Sequence, residues 1–214
     1  MKNVKRIKKE NNMKKRKNIF IGFAVMILLG VIIFTIFFRK NMSKNFKIGN
    51  NSTSQEIIDY ILNIGSYNTQ IEVEVNSNKN TNKYILKQEY ISPDINSQEV
   101  LEPTNIAGVK IIRDGQNLRL ENTNLNLSTV FEKYEYIADN DLDLSSFIKD
   151  YKGNNDSKFE EKNEQLILKT SLVNNKTKIL YIDKSTATPT KMIITDYNKN
   201  STIYILYNKV NVNS

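Results

Sequence analysis

The chain contains no cysteine, no histidine and no tryptophan, and only three prolines and seven glycines in 214 residues. Without cysteine there is no disulfide, no thiolate nucleophile and no lipid anchor on a cysteine. Without histidine the commonest general base and the commonest metal ligand are both missing. Carboxylates, lysines and hydroxyls remain, so acid–base chemistry is reduced to its less usual carriers. Charge is not scarce, but it is unevenly placed. The formal net charge is +8, a balance that suggests nucleic acid when read over the whole chain. Nine of the lysines and arginines precede residue 18; setting these aside with Arg39, Lys40 and Glu10 leaves 20 cations against 22 anions. The remainder is weakly acidic, and DNA or RNA is excluded as the expected partner.

What is present begins with Ile19 to Phe38, twenty consecutive positions without a charged side chain. As a helix this run covers about 30 Å, the thickness of the hydrocarbon core of a bilayer. The basic tract before it includes Lys14, Lys15, Arg16 and Lys17, and the flank after it is less basic. The positive-inside rule therefore places the N-terminus in the cytoplasm and everything beyond the span outside. The run exceeds a secretory h-region, and FFRKNMSKN has no small-x-small cleavage signal, so an uncleaved single-pass anchor is expected. The division is a basic cytoplasmic tail (1–18), a membrane helix (19–38), a polar tether (39–51) and one extracytoplasmic domain (52–214). The tail can also touch anionic headgroups, but its expected role is to set topology.

In the outer domain, Thr53 and Glu56, or Ser52 and Gln55, have capping-box spacing, and Ile57, Ile58, Ile61 and Leu62 recur on one helical face. The period then falls to two. Ile71, Val73 and Val75 alternate with Gln70, Glu72 and Glu74, as in a half-buried strand. Strand-like segments follow in TNKYILKQEYI, INSQEVL, AGVKIIR, QNLRLEN, QLILKTSLV, TKILYID, TKMIITDY and STIYILYNKV. Asp114-Gly115, Asn174-Asn175 and the asparagines at 198 and 200 supply turn residues between them. One helical interruption stands at Leu144, Phe147, Ile148 and Tyr151, with Asp143 as its expected N-cap. An antiparallel meander with two helices is an α+β fold.

Candidate chemistry is sparse. Asp139, Asp141, Asp143 and Asp150 imitate the first, third, fifth and twelfth positions of a calcium loop. Leu144 occupies the position where the loop needs glycine, so an acidic segment capping the next helix is the preferred reading and no metal or other cofactor is expected. Glu160, Glu161 and Glu164 read as a solvated hairpin. Ser145 and Ser146 lack a nucleophile-elbow context and a recognisable base.

The stretch from Asn82 to Tyr151, with its Glu102-Pro103 pair and Asp114-Gly115 hairpin, resembles the clostridial germination lipoproteins of the GerS type, relatives of the LolA/LolB lipoprotein-carrier superfamily. The closing segment, with a strand ending at Asp183 and a turn containing Pro189, is similar to the C-terminal half of that fold. The resemblance spans about residues 53 to 212. It implies a curved antiparallel half-barrel with helices on its concave face, no catalysis, and binding of either acyl chains of lipid or lipoprotein or a protein partner. For GerS-type proteins that partner is a peptidoglycan amidase acting in spore-cortex modification and germination. A membrane span replaces their lipobox cysteine, and no catalytic or binding residue carries over. An exposed sheet edge also admits strand addition or a homodimer.

Overall fold

The computed structural model describes residues 52–93, 95–132, 141–172, 176–196 and 201–213. The expected membrane helix Ile19–Phe38, its topology residues Lys14, Lys15, Arg16 and Lys17, and the whole of the tether (39–51) lie outside them. Among the described residues no helix is long and apolar enough to cross a membrane.

Helix α1 (Ser54–Leu62) starts at a complete capping box, with Thr53 accepting from the Glu56 backbone and Glu56 accepting from the Thr53 backbone. Its buried side is Ile57, Ile58 and Ile61, as the spacing predicts. Strands β1 (Ser66–Ser77), β2 (Thr81–Ile91), β3 (Ile95–Glu102), β4 (Val109–Asp114), β5 (Asn117–Asn122) and β6 (Leu127–Phe131) follow. After helix α2 (Leu144–Gly153) come β7 (Lys158–Lys162), β8 (Gln165–Ser171), β9 (Thr177–Asp183), β10 (Thr188–Thr195) and β11 (Ser201–Asn213).

All eleven strands form one antiparallel sheet in the order β6-β5-β4-β3-β2-β1-β11-β10-β9-β8-β7. It consists of two meanders, β1 to β6 and β7 to β11, joined where the first strand pairs with the last. Ile71 faces Tyr207, and Val73 faces Ile205. A twisted sheet of this width curls, and both helices pack on one of its faces, the arrangement expected of a LolA-like domain. The core lies between them. Tyr67, Ile71 and Val73 of β1, Leu86, Leu166, Leu168, Leu180, Ile182, Met192 and Ile205 all meet Ile57, Ile61, Leu144 and Phe147 there. Period-two alternation decides this, because each strand sends every second side chain to the helix-bearing face.

Three local expectations need correction. The β4–β5 loop is Gly115-Gln116, since Asp114 is still paired with Asn117; only Gly115 has a positive φ (56°), which suits a turn needing glycine at its first central position. Pro189 lies in β10 rather than in the preceding turn. It is tolerated because β11 joins β10 only from Lys191 onward and the β9 pairing shifts there, so Pro189 sits outside the doubly paired part of the strand. Finally, β6 and β7 are additional strands at the two sheet edges, with Glu160 and Glu161 in β7 of the β7–β8 hairpin.

Candidate binding surface and the network that frames it

The two ends of the helix-bearing face differ. From β1 through β11, β10, β9 and β8 the inward side chains are covered by α1 and α2. From β4 to β6 the same face is open apart from Leu118, which is buried. Cross-strand register places Ile111 beside Leu120, and Leu120 beside Thr129. The next rows pair Leu118 with Phe131 and Asn122 with Leu127. Ile111, Leu120 and Phe131 keep 39%, 40% and 40% of their surface exposed, and Leu127 keeps 62%. These residues share the parity of the buried core, yet no described helix covers them. A contiguous apolar surface of this kind marks a binding site more often than an isolated exposed leucine does.

The sheet edges differ in the same sense. Strand β7, KFEEK, carries four charges along five exposed positions, a pattern that discourages another chain from adding to it. Strand β6, LSTVF, is also fully exposed and carries none. Its backbone has β5 on one side, and no other described strand pairs with it. Open apolar floor and unguarded edge therefore meet at β6.

Helix α2 is held over the sheet partly by charge. Asp143 stands at its N-cap position, but its side chain makes no cap hydrogen bond. It turns instead to the guanidinium of Arg113 on β4. This corrects the expectation that the acidic segment caps the helix through Asp143. Further along, Lys178 of β9 is fully buried. Its Nζ lies 2.6 Å from Asp150 Oδ2, 3.0 Å from Asp141 Oδ1 and 3.0 Å from Ser146 Oγ. Asp141 also accepts from Lys176 at 2.6 Å. Burial pushes the Asp141 carboxyl up, but the hydrogen bonds from Lys176 and Lys178 hold it below its ordinary value. The Tyr67 phenol is pushed far above its usual value, first by burial and then by the Asp143 charge; Tyr207 is raised by burial, with Tyr67 and Asp143 adding to it.

This network occupies the described carboxylates of the acidic segment. Asp141, Asp143 and Asp150 are engaged by three different cations, Asp139 lies outside the described residues, and among the described residues no acidic cluster has the grouping needed to hold a metal. Ser146 does have a lysine neighbour, which sequence inspection missed. All three protons of that ammonium have acceptors, and both side chains are buried, so the pair is arranged as packing rather than as a hydrolytic dyad. One signal was available: Lys178 has the same parity in TKILYID as the buried Leu180 and Ile182. The expected solvated hairpin holds, since Glu160, Glu161 and Glu164 are all exposed, with Glu161 accepting from Lys184 and Ser54.

No family model and no curated protein matches the sequence. Among solved structures, the chain is similar to a LolA superfamily protein of Nitrosomonas europaea, at 10% identity over 76% of this chain and 94% of that one, with a TM-score of 0.43. It is also similar to a structure of the CwlD amidase of Clostridioides difficile in complex with the GerS lipoprotein, at 23% identity over 77% and 95%, TM-score 0.42. A third likeness is to the lipoprotein LppX of Mycobacterium tuberculosis, at 9% identity over 73% and 92%, TM-score 0.40. These likenesses concern the course of the chain and transfer none of those proteins' partners or ligands.

Proposed function

We propose that this chain is a non-enzymatic envelope protein, anchored by Ile19–Phe38 with its N-terminus in the cytoplasm, whose outer domain holds a protein partner against β4–β6. The observation that carries the reading is the coincidence of an uncovered apolar floor with the uncharged edge of β6. A partner strand added at that edge gains backbone hydrogen bonds and, on alternate residues, contact with Leu127 and Phe131. The resemblance of residues 53 to 212 to GerS-type proteins makes a peptidoglycan amidase the first partner to seek, in spore-cortex modification and germination.

The test is gentle affinity purification of the tagged full-length chain from sporulating cells, beside Val130→Lys, which places a charge on the edge without touching the core. The expected result is an amidase retained by the parent and lost by the variant. An amidase absent from both, or retained equally by both, refutes the proposal; recovery of a second copy of the chain alone makes β6 a homodimer edge instead. A second reading, a carrier of lipid or lipoprotein acyl chains, is favoured by the same apolar floor. It predicts lipid copurifying with the parent in native mass spectrometry, and a permanent membrane span argues against a shuttling role.

A further inference from the structure

The face of the sheet away from the helices carries a second, separate feature. Cross-strand register aligns Ile85, Glu72, Leu206, Lys191 and Tyr181 in one row, and Lys83, Glu74, Tyr204 and Ile193 in the next. Between these rows and the end of β3 at Glu102-Pro103 lies a cavity of about 560 Å³, within the range of small-ligand sites. Its floor is Ile85, Leu206 and the exposed ring of Tyr204.

The polar groups around this floor are already oriented by one another. Glu74 is fixed by Lys83 at 3.0 Å and by Asn76 at 2.9 Å, and Asn76 in turn accepts from Thr81 at 2.7 Å. Glu72 accepts from Asn208 at 2.7 Å. Lys191 lies 4.3 Å from the centre of the Tyr181 ring. Acidic and basic groups nearly balance around the cavity, so an ionic ligand of either sign meets repulsion as well as attraction. The favoured ligand is neutral, with one apolar face and a rim rich in donors and acceptors. A pyranose ring has this chemistry: axial C–H groups lie against an aromatic or aliphatic floor, and hydroxyl and acetamido groups reach carboxylates, ammonium and amides that are already held in place.

We propose that this face, which carries no described helix, binds a neutral saccharide chain across Tyr204 and Leu206, with Glu72, Glu74 and Lys83 hydrogen-bonding its rim. The envelope location proposed above guides only the choice of probe, a β-1,4-linked amino sugar. The site is on the opposite face from the β4–β6 floor and several strands away from the β6 edge, so saccharide binding and partner capture fail independently of each other.

The experiment is calorimetric titration of the full-length chain in detergent micelles with chitotetraose, a soluble tetramer of N-acetylglucosamine. Tyr204→Ala, Tyr204→Phe and Leu127→Ser are run beside the parent, with thermal melting as the folding control. The expected result is saturable binding by the parent, at least tenfold weaker in Tyr204→Ala, retained in Tyr204→Phe, and unchanged in Leu127→Ser, which alters the other face. No saturable binding by the parent overturns the proposal. So does equal binding by a folded Tyr204→Ala variant, or loss in Leu127→Ser.

Discussion

Replacing Lys178 with Met tests whether charge pairing holds α2 to the sheet. The side chain is fully buried, and its ammonium joins Asp150 and Asp141 to Ser146 Oγ. Removing one partner of a fully buried ion pair destabilises a protein by about 3–5 kcal/mol, because the remaining charge is left uncompensated. Two features lower the figure here. The side chains of Asp150 and Asp141 keep 17% and 26% of their surface exposed, and Asp141 retains Lys176 at 2.6 Å. Met restores most of the lost volume, so little cavity forms. The expected loss for Lys178→Met is therefore about 2–3 kcal/mol. Adding Asp150→Asn removes the stranded carboxylate and should return about 1 kcal/mol, a coupling within the ordinary range for residues in contact. Urea unfolding followed by far-ultraviolet circular dichroism, with the slope unchanged, measures both. A single variant within about 0.5 kcal/mol of the parent, or a cycle with no coupling, refutes the account of α2 as charge-anchored.

Four further outcomes are expected. Gly108→Ala should destabilise by about 1–2 kcal/mol in the same assay, because Gly108 has φ +83° and an added Cβ would stand 2.7 Å from Asn124 Nδ2. Acid should destabilise the domain through Asp141: its folded value is depressed, so its contribution is complete above the unfolded value of about 3.9 and is lost as pH falls through the folded one. Urea midpoints between pH 3 and 6 check this, and the slope should weaken in Lys176→Ala. Alkali acts through Tyr67 and Tyr207, whose folded values are raised: their contribution is complete below about pH 10 and is lost as pH rises further. Absorbance at 295 nm should show these two ionising only with unfolding. The full-length chain should stay with membranes through alkaline carbonate extraction, whereas a chain lacking residues 1–40 should be released.

Two side-chain constellations at helix α2 combine groups that could carry chemistry, and both are engaged in contacts that hold the helix to the sheet. Ser146 with Lys178, and Asp143 with Arg113, are the constellations that a search for chemistry would select. Each is internally satisfied, and each ties α2 to a different strand, β9 or β4. Helix α2 therefore bridges the two meanders, and the open floor on β4–β6 begins beside the Arg113 anchor.

Short-range physics made much of this legible in the chain alone. The Thr53–Glu56 capping box lies within one turn of helix, so its outcome depends on no distant residue. The alternation in β1 and β9 sorts side chains between two faces whatever the partner strands are, and β2 and β9 have the ends expected of them. Edge strands β6 and β7 were not legible. A strand with one neighbour and no buried face leaves no apolar alternation in LSTVF or KFEEK, and the β6 part of the candidate site was missed for that reason. Ile111 and Leu120 showed in sequence as strand residues, but nothing nearby in the chain says that the helices stop short of them. Tertiary structure also decided the pairing of β1 with β11, more than a hundred residues apart, and the turn of Asp143 away from its helix toward Arg113. Contacts such as these depend on which surfaces meet once the chain closes, and that information is distributed over the whole sequence rather than carried by any one segment.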